Sequence, residues 1–203
     1  MNNSVVNTGR VLGAALRMLL VLTVITGIAY PLAVTGVAQG LLPDQANGSI
    51  VRVEGKDVGS ALVGQTWNID GTDEPDPMWF QPRPSNSDYD PLATGSGQLG
   101  ASDDVLTRTV ADRKKAVAAF NGVPASEVPK DAVTGSGSAI DPHISPAYAH
   151  LQVQRIAEAN GLTARQVTTL VQRHTEGRTA GFLGQPHVNV LRLNLALKDL
   201  ATG

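Results

Sequence analysis

The sequence contains no cysteine, so disulfide bonds, thiolate nucleophiles and cysteine-dependent metal sites are all excluded. Aromatic residues are scarce at 4%, and the 16 Lys and Arg residues nearly balance the 18 Asp and Glu residues. The net charge of −2 lacks the basic excess with which proteins neutralise nucleic-acid phosphates, so we expect no nucleic-acid partner. The 203 residues, 42% of them hydrophobic, suffice for one globular domain with an appendage.

Charged side chains are also missing between Arg17 and Asp44. The 21 apolar residues within this stretch would form a helix about 31 Å long, enough to cross a hydrocarbon core of roughly 30 Å. A cleaved signal peptide and a buried helix of a soluble domain are the alternatives. The apolar core is too long for a signal peptide, and it is apolar on all sides, which disfavours a helix of a soluble domain. We therefore predict an N-terminal segment, a transmembrane helix, a linker and a globular domain at residues 1–17, 18–38, 39–49 and 50–203.

The charges on either side of the helix predict its orientation. Arg10 and Arg17 are the only charged residues before position 44, whereas the remaining residues hold 14 basic and 18 acidic side chains. Because positive charge is retained on the cytoplasmic side, we expect a cytoplasmic N-terminus. The domain would then lie outside the cell, on a single-pass protein of the plasma membrane.

One face of the helix has the composition of a packing surface. Thr23 and Gly27 are small, and Tyr30 and Pro31 follow one turn later. Small residues let transmembrane helices approach closely, and neighbouring helices can compensate for a proline that weakens the hydrogen-bond ladder. We predict that these four residues contact membrane partners.

Beyond residue 50 the pattern predicts an α/β or α+β domain. Short apolar runs at 50–53, 62–67 and 188–193 indicate strands, and residues 68–101 form a long Gly-, Pro- and Asp-rich loop. Ser102, Ser145 and Thr163 are the predicted N-caps of three helices, the first of which stops at Gly122. Asn194 is expected to cap a last helical turn.

The sequence resembles the C subunits (KdpC) of bacterial Kdp potassium-transporting P-type ATPases. The resemblance covers nearly the whole chain and rests on seven segments in the family's order: 27–32 (GIAYPL), 45–49 (QANGS), 59–65 (GSALVGQ), 80–85 (FQPRPS), 131–138 (DAVTGSGS), 141–146 (DPHISP) and 188–197 (VNVLRLNLAL). The run at 95–100 (GSGQLG) departs from the family's usual Ser-Gly-Gly-Ser-Asn type.

This resemblance implies an accessory, non-catalytic subunit of an ATP-driven potassium uptake complex. Its partners would be a channel-like potassium-binding subunit, a P-type ATP-hydrolysing subunit and a small single-span subunit. The family is described as a catalytic chaperone that raises the ATP affinity of the hydrolysing subunit. Since an outer domain cannot meet cytoplasmic ATP, we expect no covalently bound cofactor and an effect of ATP at the level of the complex, with direct ATP binding as the open alternative.

Three residues of the domain are candidates for interaction: Arg83, Asp141 and His143. Asp141 and His143, with Ser136, also supply the residue types of a hydrolase triad, but no G-x-S-x-G elbow is present and a polar turn before the Ser145 cap is the simpler interpretation. An anchored hydrolase and a free-standing binding module therefore remain as alternative functions.

Other patterns are weak. Residues 95–100 fit G-x-G-x-x-G without a preceding strand, which favours a flexible connector over phosphate binding, and the histidines lack zinc-site spacing. Six acidic residues between 70 and 90 indicate a solvated loop or, alternatively, a surface that concentrates cations near a pore. Arg83 is held extended between two prolines, and we expect it to pair with these acids or, as the alternative, with a carboxylate of a partner protein.

Overall fold

A computed structural model describes residues 2–97 and 99–203, so Met1 of the N-terminal segment and Gln98 of the glycine-rich run lie outside the described residues. The chain forms two compact units, one ending at Ile50 and the other running from Val51 to Gly203. The helices are α1 (Asn2–Val24), α2 (Tyr30–Leu41), α3 (Pro43–Ala46), α4 (Asp104–Asn121), α5 (Pro146–Leu151), α6 (Val153–Ala159), α7 (Ala164–Arg173) and α8 (Val190–Thr202). The strands are β1 (Ile50–Val53), β2 (Lys56–Ser60), β3 (His143–Ile144), β4 (Thr175–Glu176) and β5 (His187–Asn189).

The first unit is one long apolar helix with a wide turn at its centre. The 36 residues Val6–Leu41 are long and apolar enough to cross a membrane, and none of the span's most apolar window is buried within the chain. Between α1 and α2, Ile25–Ala29 forms a π-helical turn, and the Tyr30 amide donates to the Ile25 carbonyl. The wide turn lies directly before Tyr30-Pro31, where the proline ring would clash with a carbonyl of a regular α-helix.

The second unit combines antiparallel strands with helices. In the three-stranded sheet, β5 is central, with β3 paired through Ile144 and Val188 on one side and β4 paired through Thr175 and Val188 on the other. Strands β1 and β2 form a separate two-stranded sheet whose turn residues, Glu54 and Gly55, both have positive φ, as in tight hairpins. The predicted α+β domain on a single N-terminal helix is confirmed.

The core of this unit lies where α5 to α8 meet the three-stranded sheet. Its fully buried members come from these helices, from the sheet and from the long loop: Phe80, Ala149, Ile156, Val167, Val171, Val188, Leu193 and Leu197. In the described residues between Ser60 and Asp104 no helix or named strand forms, which agrees with the predicted long loop. The loop nevertheless contributes Phe80 to the core, so this part of it is fixed to the domain.

Local capping signals predicted helix ends well. Ser145 accepts a hydrogen bond from the Tyr148 amide, Thr163 forms a capping box with Gln166, and Gly122 ends α4 with φ of 64°. The predicted cap at Ser102 was wrong by one residue, because the Asp103 carboxylate accepts from the Val105 amide at 2.7 Å.

Two strand predictions were wrong. Residues 62–67 form no strand, and the neighbouring strand is β2, which ends at Ser60. In the 188–193 run only the first two residues are in β5, because Asn189 accepts from the Arg192 amide and begins α8 at Val190. Asn194 therefore lies inside a helix, fully buried, and does not cap a turn.

Candidate functional site

The predicted packing face lies around the wide turn of the long helix. A Cβ atom added at Gly27 would come no closer than 4.0 Å to the Thr23 methyl group, so these two positions are adjacent and space beside them is open. Thr26 donates its hydroxyl hydrogen to the Leu22 carbonyl at 2.7 Å, which satisfies its polar group within the helix. Tyr30 is 66% exposed. Within the described residues of the first unit nothing covers this surface, and Arg10 and Arg17 are likewise exposed on α1.

In the domain, two buried amide side chains hold the long loop in place. Asn194 of α8 accepts from the Phe80 amide at 2.9 Å and donates to the Phe80 carbonyl at 3.0 Å. Gln152 does the same for Gln81, at 2.7 and 3.1 Å. The two side chains replace the partner strand that this extended segment lacks, so its backbone is satisfied although it is buried.

Arg155 of α6 also holds this segment in place. It is 8% exposed and donates to Asn121, to Gln152 and to the carbonyls of Pro77 and Trp79. Its guanidinium carbon lies 4.4 Å from the centre of the Phe120 ring. Burial lowers the pKa of Arg155 to about 10, partly opposed by Tyr148 and Asp76, so the cation is held by hydrogen bonds at a cost in solvation.

These anchors position Arg83, which follows between two prolines. Its Nη1 atom lies 3.0 Å from Oδ2 of Asp141, and Nη2 donates to the Gly135 carbonyl at 3.2 Å. The prediction that Arg83 pairs with the acids of residues 70–90 was wrong, since the ion pair is made with a residue 58 positions away. Tyr89 donates its hydroxyl hydrogen to the Arg83 carbonyl and supports the same segment.

The structure brings all three candidate residues of the domain together. His143 lies at the start of β3, its Nδ1 atom 3.1 Å from Oδ1 of Asp141, and its amide donates to the same oxygen at 3.0 Å. The series of side-chain contacts extends to His187, whose ring packs edge-on against the ring of His143 with 4.5 Å between the ring centres. We call the whole set the Asp141 cluster: Arg83, Asp141, His143, Glu176, His187 and Arg192.

Sheet pairing places the far end of the cluster. Glu176 on β4 faces His187 on β5, and their side chains lie 3.6 Å apart, while Arg192 reaches the second carboxylate oxygen at 3.6 Å. Each carboxylate thus contacts one arginine and one histidine: Asp141 contacts Arg83 and His143, and Glu176 contacts His187 and Arg192. A cleft of about 310 Å³ opens beside the half of the cluster that contains Asp141 and His143.

The cluster keeps Asp141 ionised. Burial by itself would raise the pKa of Asp141, but hydrogen bonds from His143 and the charges of His143 and Arg83 outweigh it, so the pKa lies below its ordinary value. A carboxylate held in this way orients the His143 ring and pairs with Arg83. It serves electrostatic recognition better than acid catalysis, which needs a protonated carboxyl group near neutral pH.

The serines nearest in sequence to Asp141 and His143 make hydrogen bonds to other side chains. Ser145 donates to Asp131 at 2.9 Å while it caps α5, and Ser136 pairs with Ser138 at 3.3 Å. Within the described residues no group of three or more His, Asp or Glu side chains has the geometry of a metal site. The contacts that the side chains of the Asp141 cluster make are ion pairs and hydrogen bonds.

A single apolar helix long enough to cross a membrane, joined to an α+β domain, is the architecture of a membrane-anchored protein. The family model described as "KdpC: K+-transporting ATPase, c chain" matches residues 12–199. Curated proteins named "Potassium-transporting ATPase KdpC subunit" are similar over the whole length: one from Streptomyces avermitilis is 53% identical, covering 98% of both chains, and one from Kineococcus radiotolerans is 46% identical, covering 99% of this chain and all of the relative. A Mycobacterium tuberculosis protein of the same name is 49% identical over 92% of this chain and 96% of its own. The chain belongs to the KdpC family of potassium-transporting ATPase subunits.

Proposed function

We propose that this protein is the non-catalytic accessory subunit of a potassium-transporting P-type ATPase and acts by binding its neighbours. The observation that carries the proposal is the 36-residue helix, whose most apolar window is entirely uncovered within the chain. Its partners are then lipid and the helices of other subunits. Family membership supplies the transport context.

The partners proposed are the channel-like potassium-binding subunit, the ATP-hydrolysing subunit and the small single-span subunit of the complex. The open surface at Thr23 and Gly27 favours close helix contact in the membrane. The Asp141 cluster favours polar contacts of the domain, because its outer members, Glu176 and Arg192, are each about half exposed.

A non-catalytic role is favoured because the serines nearest in sequence to the Asp141 and His143 pair make hydrogen bonds to side chains other than His143. Ser145 and Ser136 are each bonded to other side chains. If the protein were instead an anchored hydrolase, it would turn over an ester or peptide substrate, and His143→Ala would abolish that turnover.

Arg10 and Arg17 favour a cytoplasmic N-terminus and a domain outside the cell. In that arrangement the domain cannot touch ATP, so an effect on the ATP affinity of the hydrolysing subunit is a coupling free energy. Such couplings are typically about 1–3 kcal/mol and act through contacts between subunits.

We expect Gly27→Leu to reduce co-purification of the other subunits with the tagged protein by about tenfold or more, because a contact worth more than about 1.4 kcal/mol is lost. The chain itself leaves room for a larger side chain, so the loss reports on a partner. Gly36→Leu, on roughly the opposite side of the helix by about 100° per residue, is the matched control and leaves assembly intact. Equal assembly of both variants would refute the packing face.

The orientation can be tested by labelling, since the chain has no native cysteine. Lys115→Cys, whose native side chain is 78% exposed on α4, should react with a membrane-impermeant maleimide in intact cells. Asn7→Cys should react only after permeabilisation. The reverse pattern would place the domain in the cytoplasm, where direct contact with ATP becomes feasible.

A further inference from the structure

The loop between β4 and β5 presents two large apolar side chains to solvent. In this tip loop, residues 177–186, Phe182 is 71% exposed and Leu183 is 54% exposed. The other two phenylalanines are used inside the domain: Phe80 is fully buried, and Phe120 lies under the Arg155 guanidinium. Adjacent exposed Phe and Leu side chains at a loop tip are typical of a contact surface.

The tip loop is held in one conformation by its own backbone. Thr179 and Leu183 exchange hydrogen bonds of 2.9 and 3.0 Å, and the Gly181 amide donates to the Arg178 carbonyl at 3.1 Å. Ala180 and Gly181, which lie between Thr179 and Leu183, both have positive φ. The backbone that carries Phe182 and Leu183 is therefore already ordered before binding, which lowers the entropy cost of ordering the loop on binding.

The C-terminal part of the sequence, which contains the tip loop, has a positive formal charge. Residues 161–203 carry five Lys and Arg against two Asp and Glu, a formal charge of +3, whereas residues 44–160 carry nine against sixteen, or −7. Arg178 is the only charged residue of the tip loop itself. The nearest acid in sequence, Glu176, lies within 3.6 Å of Arg192 and His187. The tip thus combines aromatic, aliphatic and cationic groups on a basic segment.

We propose that the tip loop inserts into the headgroup region of a bilayer that contains anionic lipid, giving the domain a second attachment beside its helix. An aromatic ring and an aliphatic side chain next to an arginine match the interface between acyl chains and anionic headgroups. Only residues 42–49 separate the long helix from β1, a reach of at most about 28 Å. This short tether keeps the domain at a high effective concentration near the membrane, so even weak insertion is populated.

The test uses the full-length chain with one introduced cysteine. Leu183→Cys carries a nitrobenzoxadiazole probe, and the protein is reconstituted in vesicles of phosphatidylglycerol and phosphatidylcholine. Spin-labelled lipids should quench the probe, most strongly when the spin label is shallow, because interfacial groups lie about 5–10 Å deep. The matched control is Leu92→Cys, since Leu92 is 95% exposed on a different loop and should stay unquenched.

Two changes probe the cause. Phe182→Ser and Arg178→Ser, each in the Leu183→Cys protein, should reduce quenching, and vesicles of phosphatidylcholine alone should weaken it. A probe at position 183 that stays in water overturns the proposal, as does equal quenching at position 92. Shielding from water that occurs only when other subunits co-purify also overturns it and assigns the tip to a protein groove. Both leaflets have the same composition, so the result does not depend on the proposed orientation or on pump assembly.

Discussion

Arg155→Met is expected to lower the free energy of unfolding by about 3 kcal/mol, one of the largest effects of any single substitution in the domain. The change leaves the side-chain oxygen of Asn121 and the carbonyl of Pro77 without a donor, at about 1–3 kcal/mol for each group that stays dry. It also removes the 3.1 Å hydrogen bond to the Trp79 carbonyl, whereas the Gln152 oxygen keeps the Gln81 amide as its donor. Part of this loss is offset, because methionine removes a cation whose burial is unfavourable, as its lowered pKa indicates. Because two buried acceptors lose their donor and only one unfavourable charge is removed, we expect a net loss of stability.

The measurement is denaturant unfolding of the full chain in detergent, followed by tryptophan fluorescence. Trp67 and Trp79 are the only tryptophans, and their rings lie 5.2 Å apart in the loop that Arg155 holds. Arg165→Met, on the exposed surface of α7, is the matched control and should change stability by less than about 0.5 kcal/mol. If both variants unfold alike, the hydrogen bonds of Arg155 contribute nothing to holding the loop.

The sequence predicted those parts of the fold whose causes are local. Ser145 with Pro146, and Thr163 with Gln166, specify helix starts through bonds to amides within three residues, and these starts are where they were expected. The strand predicted at 62–67 failed because strand formation depends on a partner, and β1 pairs with β2 instead. The strand prediction for 188–193 failed because, in a short apolar run, the spacing of hydrophobic residues does not distinguish a buried strand from a buried helix.

The candidate site was foreseen only in part, since it is assembled from distant segments. Asp141 and His143 are neighbours in sequence, so their pairing could be guessed, whereas Arg83 was assigned to acids near it in the chain. Gln152 and Arg155 were missed altogether, and Asn194 was predicted as a helix cap instead of a buried anchor. Their signal was a polar side chain inside an apolar helical face, but their partners lie 71 to 114 residues away, and only the fold brings them together.

Gly64→Val is expected to be as damaging as the loss of Arg155, by about 3 kcal/mol, at the upper end of overpacking effects. A Cβ at this position would overlap the buried ring of Tyr89 and come within 3.0 Å of the Asp141 carbonyl oxygen. The backbone of Gly64 is outside the left-handed region, so the cost comes from crowding alone. Because Tyr89 donates to the Arg83 carbonyl, the displaced ring also loosens the Asp141 cluster.

A double-mutant cycle with Tyr89→Ala identifies the crowded partner. Once the ring is gone, Gly64→Val should cost less by about 1–2 kcal/mol, within the range of coupling seen for residues in contact. Gly177→Val is the control, because a Cβ there meets nothing within 4 Å. Strictly additive effects of the two substitutions would locate the strain at the Asp141 backbone. A harmless Gly64→Val would show that Tyr89 can move away without loss, and that the close contact of this glycine with the ring does not hold Arg83 in place.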